Sequence, residues 1–264
     1  MGEDPHPEFR WLERGEGEPV VLLHGLLGRM EHWEAQLEGL GDEQRLIAPS
    51  LPIFDARLGE VSIGALAAHV VRLLDALDLP RAVIVGHSLG GQVALTTALD
   101  HPDRVSGLVL AGASGAPERS AGGLVPRRPT AAYVRARMEE AFFDPRMVTP
   151  AWVESVREIL ATRSSARRVL RVARAARRHR VEERLGEIAV PALLVWGADD
   201  RITPPDAAAR VRALISASEL QVLPRCGHAP MLERPAVFND VLEEWLARTR
   251  ARRERPAAVA GATR

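Results

Sequence analysis

Short apolar runs, none long enough for a buried helix, alternate along this chain with longer segments of helical period. Residues 19–24 (PVVLLH), 82–85, 105–110 and 191–197 (PALLVWG) read as strands buried on both faces, and 45–49 and 219–223 as further strands. Helical patterns fall between them at 30–40, 62–77, 92–99, 206–215 and 236–247. In the second of these, Leu66, Val70, Leu73, Leu74 and Leu77 share a face behind Ser62, which suits an N-cap. Strands that alternate with helices in this way form a mostly parallel sheet with helices on both faces, the α/β class.

The alternation breaks once. Residues 112–129 are rich in Gly, Pro and Ser, and from about 130 to 185 the pattern is helical without a credible strand. The sequence therefore predicts a sheet domain built from 1–114 and 186–250, interrupted by a helical insertion at 115–185. Residues 251–264, rich in Arg, Ala and Pro, are expected to be a disordered tail. A chain of 264 residues, 46% of them hydrophobic, suits one such domain with an insertion. Formal net charge is zero, which speaks against nucleic acid as a partner. All 35 basic residues are arginine, so no single arginine cluster is informative by composition alone. The single cysteine, Cys226, cannot form an intrachain disulfide. Residues 1–19 lack the apolar run of a signal peptide, and no apolar stretch approaches the roughly 20 residues that span a bilayer. A cytoplasmic protein without stable membrane insertion is the expectation.

Gly86-His87-Ser88-Leu89-Gly90 sits where the strand at 82–85 gives way to a helix. A serine on so sharp a turn is forced into strained backbone geometry that lifts its hydroxyl above the sheet edge. Small residues two before and two after it are needed because neighbouring backbones come too close for a side chain. A serine hydroxyl is a weak nucleophile and needs a base within reach, itself oriented by a third group. In strand-turn-helix sites of this kind the order along the chain is nucleophile, acid, base, each following a different strand. Asp199 and Asp200 both follow PALLVWG, and His228 follows the last strand inside Arg225-Cys226-Gly227-His228-Ala229-Pro230.

The chain resembles the α/β-hydrolase family in four places: His24-Gly25, the serine elbow, Gly197-Ala198-Asp199-Asp200-Arg201-Ile202-Thr203-Pro204, and Gly227-His228. The resemblance implies a catalytic triad of Ser88, Asp200 and His228, because in similar enzymes the acid stands three residues after the glycine of the third motif. Asp199 is left as a turn-stabilising side chain. In some relatives the acid follows the preceding strand, where this chain reads Gly112-Ala113-Ser114 and offers no carboxylate. The resemblance further implies an oxyanion hole of two backbone N–H groups, those of Leu26 and Leu89, with His24 ordering its loop. It implies neither a metal nor an organic cofactor. The chain departs from the family at Ser50-Leu51-Pro52-Ile53, where many relatives carry Asp-x-Pro-Gly. That loop is expected away from the triad.

In relatives such an insertion caps the active site and shapes the pocket. Arg163, Arg167, Arg171, Arg174 and Arg178 recur at helical spacing, with Val169, Leu170, Val172, Ala173 and Ala176 mainly opposite. A solvated face is the plainer reading of these arginines, and a lure for anionic substrates or lipid the sharper one. Tyr133, Phe142, Phe143 and Trp152 have two readings, the lining of a pocket and the core of the insertion, of which the core is the expectation. A serine nucleophile favours a small-molecule ester as substrate, cleaved through an acyl-enzyme. The alternative is C–C cleavage of a dienone acid from a ring-cleavage pathway, although such hydrolases commonly carry Asn and Trp at the positions of His87 and Ala229. A hydrolase-like ligand receptor is the alternative of another class.

Overall fold

A computed structural model describes residues 6, 8–54, 62–113 and 129–254 of the chain. The 114–128 portion of the Gly/Pro/Ser-rich stretch and insertion, and residues 255–264 of the expected tail, lie outside the described residues.

Seven strands form one sheet: β1 (Trp11–Arg14), β2 (Glu18–Leu23), β3 (Gln44–Pro49), β4 (Ala82–His87), β5 (Val105–Ala111), β6 (Ala192–Gly197) and β7 (Ser218–Leu223). Their order is β1-β3-β2-β4-β5-β6-β7. Only β1 is antiparallel to its neighbour, and the other pairings are parallel. The predicted strands are all present, and β1 is the one that the sequence missed. It has four residues, two of them exposed, and therefore lacks an apolar run.

Helices α1 (Glu34–Leu40), α2 (Ile63–Ala76) and α3 (Leu89–Asp100) connect the first strands. Ser62 caps α2 as expected, its hydroxyl accepting the Ala65 N–H at 3.1 Å. Three helices follow β5: α4 (Ala131–Glu139), α5 (Pro150–Ala161) and α6 (Arg163–Arg178). After β6 come α7 (Pro205–Leu214), the single turn α8 (Pro230–Glu233) and α9 (Pro235–Glu254), which runs on past the expected end at Ala247.

The strands alternate between two buried layers, as a two-residue period demands. Leu23, Ile84, Leu110 and Trp196 point into one layer, packed by α2, α3 and α7. Leu22, Val83, Val85, Val109 and Val195 point into the other, packed by α1 and α9 through Leu37, Phe238 and Trp245. The chain leaves β2 toward β3 on one side and then crosses to β4 on the other. A crevice therefore opens between the carboxyl ends of β2 and β4, the place where such sheets bind ligands.

Candidate active site

Ser88 is the residue between β4 and α3, with φ 51° and ψ −117°, a left-handed backbone that a non-glycine residue adopts only under constraint. The constraint is visible on both sides. A Cβ at Gly86 would stand 2.3 Å from Gly90 O, and one at Gly90 would stand 2.3 Å from Leu23 O. Ser88 N–H also donates to Ala111 O at 3.1 Å, pinning the elbow to β5. The pentapeptide folds as a sharp turn because no larger residue fits at either flank.

Asp200 and His228 come together on neighbouring loops. His228 Nδ1–H donates to Asp200 Oδ2 at 2.9 Å, and both side chains are almost wholly buried. The other carboxylate oxygen accepts the Ile202 and Thr203 N–H groups, each at 2.8 Å. Trp196 Nε1–H donates to Thr203 O at 2.7 Å, tying the turn after β6 to the strand that launches it. The carboxylate is thus fixed from three directions, and the His228 ring is held by its Nδ1. Asp199, the neighbour, is exposed. Gly112 stands where some relatives place the acid, and with φ 51° it lets the His228 backbone pass: a Cβ there would meet His228 O at 2.4 Å.

Leu26 and Ser88 line one cavity with His228, while Leu89 begins α3 with its side chain in the core. The His24 ring orders the Leu26 loop, since its Nδ1–H donates to Gly25 O at 2.8 Å and its Nε2 accepts the Leu51 N–H at 2.9 Å. The departing segment 50–53 is therefore attached to the Leu26 loop, closer to the site than expected. Arg168 Nε–H donates to Ile53 O at 2.8 Å and links the same segment to α6.

Two further histidines flank the site. His87 Nε2–H donates to the His228 carbonyl at 3.1 Å, and burial, with His228 beside it, holds its ring well below the usual histidine range. Burial pushes His32, which lies edge-on to Trp152 in the cavity wall, down to about 4. Both rings are neutral at neutral pH. Cys226 is buried, and burial pushes its thiol up to about 12, so it offers no thiolate.

The cavity measures about 1130 Å³, at the large end for a small-molecule site. Its roof comes from α4, α5 and α6. Tyr133, Phe142 and Trp152 line it, and Phe142 also lies in the core as expected, with Trp152 packed against that core and edge-on to the Phe142 ring. Phe143 is exposed instead. On α6 the apolar set divides: Val172 is buried and Ala176 packs against the sheet layer, whereas Val169 and Leu170 face the cavity. Arg163 and Arg167 line it too, and neither meets a carboxylate among the described residues. Sequence reasoning had not singled out Thr203, whose Oγ1 lies 2.8 Å from Asp200 Oδ2, 3.2 Å from Gly112 O and 3.2 Å from His228 Nδ1. The position was visible inside the Asp200-Arg201-Ile202-Thr203 run, but a hydroxyl's role there depends on where the neighbouring loops arrive.

A family model described as the alpha/beta hydrolase family matches residues 20–241. The chain is 34% identical to a 2-hydroxy-6-oxononadienedioate/2-hydroxy-6-oxononatrienedioate hydrolase of Paraburkholderia xenovorans, over 92% of each chain. It is 33% identical to the dihydrolipoyllysine-residue acetyltransferase component of an acetoin cleaving system of Pseudomonas putida, over 90% of this chain but only 66% of that one. Among solved structures, a thermophilic esterase from Thermogutta terrifontis superposes with a TM-score of 0.75 and 27% identity, over 91% of this chain and 93% of that one. With the sheet, the elbow and the family match in agreement, the chain is a hydrolase that belongs to the alpha/beta hydrolase family.

Proposed function

We propose that the chain is a serine hydrolase that works through an acyl-enzyme, with the insertion at 115–185 as a cap over a core formed by 1–114 and 186–250. Ser88 Oγ attacks a substrate carbonyl carbon while its proton passes to His228 Nε2. Asp200 holds the ring in the tautomer that leaves Nε2 free and stabilises the imidazolium. The N–H groups of Leu26 and Leu89 receive the oxyanion. His228 then protonates the leaving group, and water, deprotonated by the same ring, releases the acid and restores Ser88. The observation that carries this reading is the buried His228–Asp200 hydrogen bond of 2.9 Å beside a cavity that Ser88 lines.

For the bond broken, we place the C–C bond of a dienone acid ahead of an ester, reversing the order that the sequence favoured. Two observations support the change. The relative from Paraburkholderia xenovorans is named for a 2-hydroxy-6-oxo dienedioate, a substrate with a carboxylate at each end. Arg163 and Arg167 face the cavity without a carboxylate partner among the described residues, which suits such an acid. In this reading the dienol is first ketonised, its hydroxyl proton passing to C5. Ser88 Oγ then attacks the C6 carbonyl, and the C5–C6 bond breaks with its electron pair leaving as a dienolate, whose oxygen takes the proton held by His228. Ester hydrolysis stands second, supported by His87 and Ala229 at the elbow and base loop and by the likeness to a solved esterase.

Side-by-side turnover of a 2-hydroxy-6-oxo dienone acid and of graded p-nitrophenyl esters tests the order. We expect kcat/KM for the acid to exceed that for the best ester. Ester turnover greater by a large factor returns ester hydrolysis to first place, and turnover of both that survives Ser88→Ala removes the acyl-enzyme.

A further inference from the structure

The loop that carries His228 and the turn that ends α4 meet backbone to backbone, and one carboxylate joins them. His228 N–H donates to Ala141 O at 2.7 Å. Glu233, on the single turn α8, accepts the Phe143 N–H at Oε2 (2.8 Å). Its Oε1 accepts the Gly227 N–H at 2.9 Å and the Ala229 N–H at 3.3 Å. The contact is too close for any side chain at Gly227, where a Cβ would stand 2.6 Å from Ala141 O and 2.8 Å from Phe143 N.

Glu233 is half-buried, and burial raises its carboxyl above the usual range even though three N–H groups favour its charge. The hydrogen bonds a half-buried carboxylate accepts offset the cost of its burial, and here they also join two segments. What these bonds fix is the separation between residues 141–143, which lead from α4 to α5, and residues 227–229, which hold the base. Three backbone donors arrive from the two segments at one carboxylate, and together with the His228 N–H bond to Ala141 O they define that separation.

We infer that Glu233 is a positioning residue that latches the His228 loop to the 141–143 turn, so that the seating of α4 and α5 over the cavity sets where the base stands. This rests on the reading of His228 as base. A substrate that fits beneath the helices leaves the latch closed and Nε2 in place. One that wedges α4 upward draws the loop with it and slows chemistry after binding. Substrate fit is thereby read in kcat as well as in KM.

The test compares Glu233→Ala and Glu233→Gln with wild type on the better of the two substrate classes. A glutamine amide has one oxygen and one NH₂, so it serves the 227–229 side or the Phe143 side but not both. We expect kcat to fall at least about tenfold in each variant with KM within about threefold, the pattern of a displaced catalytic group. We also expect the downfield proton resonance of the His228 Nδ1–H to move or broaden. Val211→Ala, a cavity-forming change in α7 on the opposite layer, should match the loss of Tm and spare both readouts. Wild-type kcat and resonance in Glu233→Ala, with only a lower Tm, overturns the latch. If Glu233→Ala does not fold, Gly227→Ala, whose Cβ drives the two segments apart, must give the same signature, and unchanged kcat and resonance there overturn it equally. Absence of any Ser88-dependent turnover in wild type would defeat the proposed function alone, since the resonance still reports on the latch.

Discussion

The floor of the cavity and its roof are held by different forces. The floor is fixed by backbone. Gly86, Gly90, Gly112 and Gly227 sit where a Cβ has no room, Ser88 is held at positive φ, and Asp200 and His228 are buried with their Nδ1–H···O pairing made. The roof is fixed by a few side chains. Val134 is the buried residue of α4, Val153 and Val156 of α5, and Val172 of α6. The rest of these helices is half-exposed or lines the cavity. On the proposed reading, the chemistry that needs close placement of atoms falls to the more constrained floor, and recognition to the roof.

The largest effects should therefore come from the floor. Asp200→Asn keeps the shape of the acid but favours the wrong His228 tautomer, and we expect kcat to fall by up to about 10⁴-fold, while Asp199→Asn, at an exposed position, stays near wild type. Steady-state kinetics on the two variants reads this directly, and the reverse ranking would exchange the aspartates. Thr203→Val should cost less. It removes one partner of a buried carboxylate and leaves the other hydrogen bonds, worth about 1–3 kcal/mol, so kcat/KM should drop roughly 5- to 150-fold without a change of fold.

Most of the floor was legible because local spacing encodes it. The apolar runs give the strands, and the glycines at 86 and 90 give the elbow, since each rule acts within five residues. Asp199 and Asp200 stayed equivalent until family resemblance separated them, because which of two adjacent carboxylates turns toward a loop 28 residues on is a tertiary matter. Thr203 and Glu233 escaped for the same reason. Each acts across segments that approach only in the folded chain, and Glu233 sits on a helix of a single turn with no periodicity to mark it. The roof was less legible. Helical period separated a basic stripe on α6 from an apolar one, yet Arg163, Arg167 and Leu170 line the cavity together, because a helix spanning a crevice has three environments and not two.

Roof substitutions should change selectivity more than rate. Arg163→Ala with Arg167→Ala should raise KM for a dienone acid about tenfold, as expected for loss of a charge-assisted contact at a partly solvated site, and leave ester kcat/KM within about twofold. Equal losses on both substrates would show that these arginines support structure alone, and no loss on either would make the stripe a solvated face. The smallest effect should be on stability. His32 is held near 4 in the folded chain against 6.5 ordinarily, so between those values the unfolded chain binds more protons than the folded one. Stability is fully present above about pH 6.5 and falls as pH drops toward 4. His24 and His87, also lowered by burial, act in the same direction. Thermal melts from pH 7 to 5 should show Tm falling, and His32→Asn should flatten part of that fall. An unchanged slope would mean that His32 is hydrated in solution.

The central claim, that the fixed floor performs nucleophilic chemistry at one serine, is met most directly by covalent capture. Wild-type protein treated with a fluorophosphonate and digested should carry one adduct per chain, on the peptide that contains Ser88, with activity lost in step with labelling. Ser88→Ala should take up no label while keeping the fold, and Asp200→Asn should label far more slowly than wild type. Full labelling of Ser88→Ala, or an adduct on any other residue of an active wild-type chain, would contradict the account.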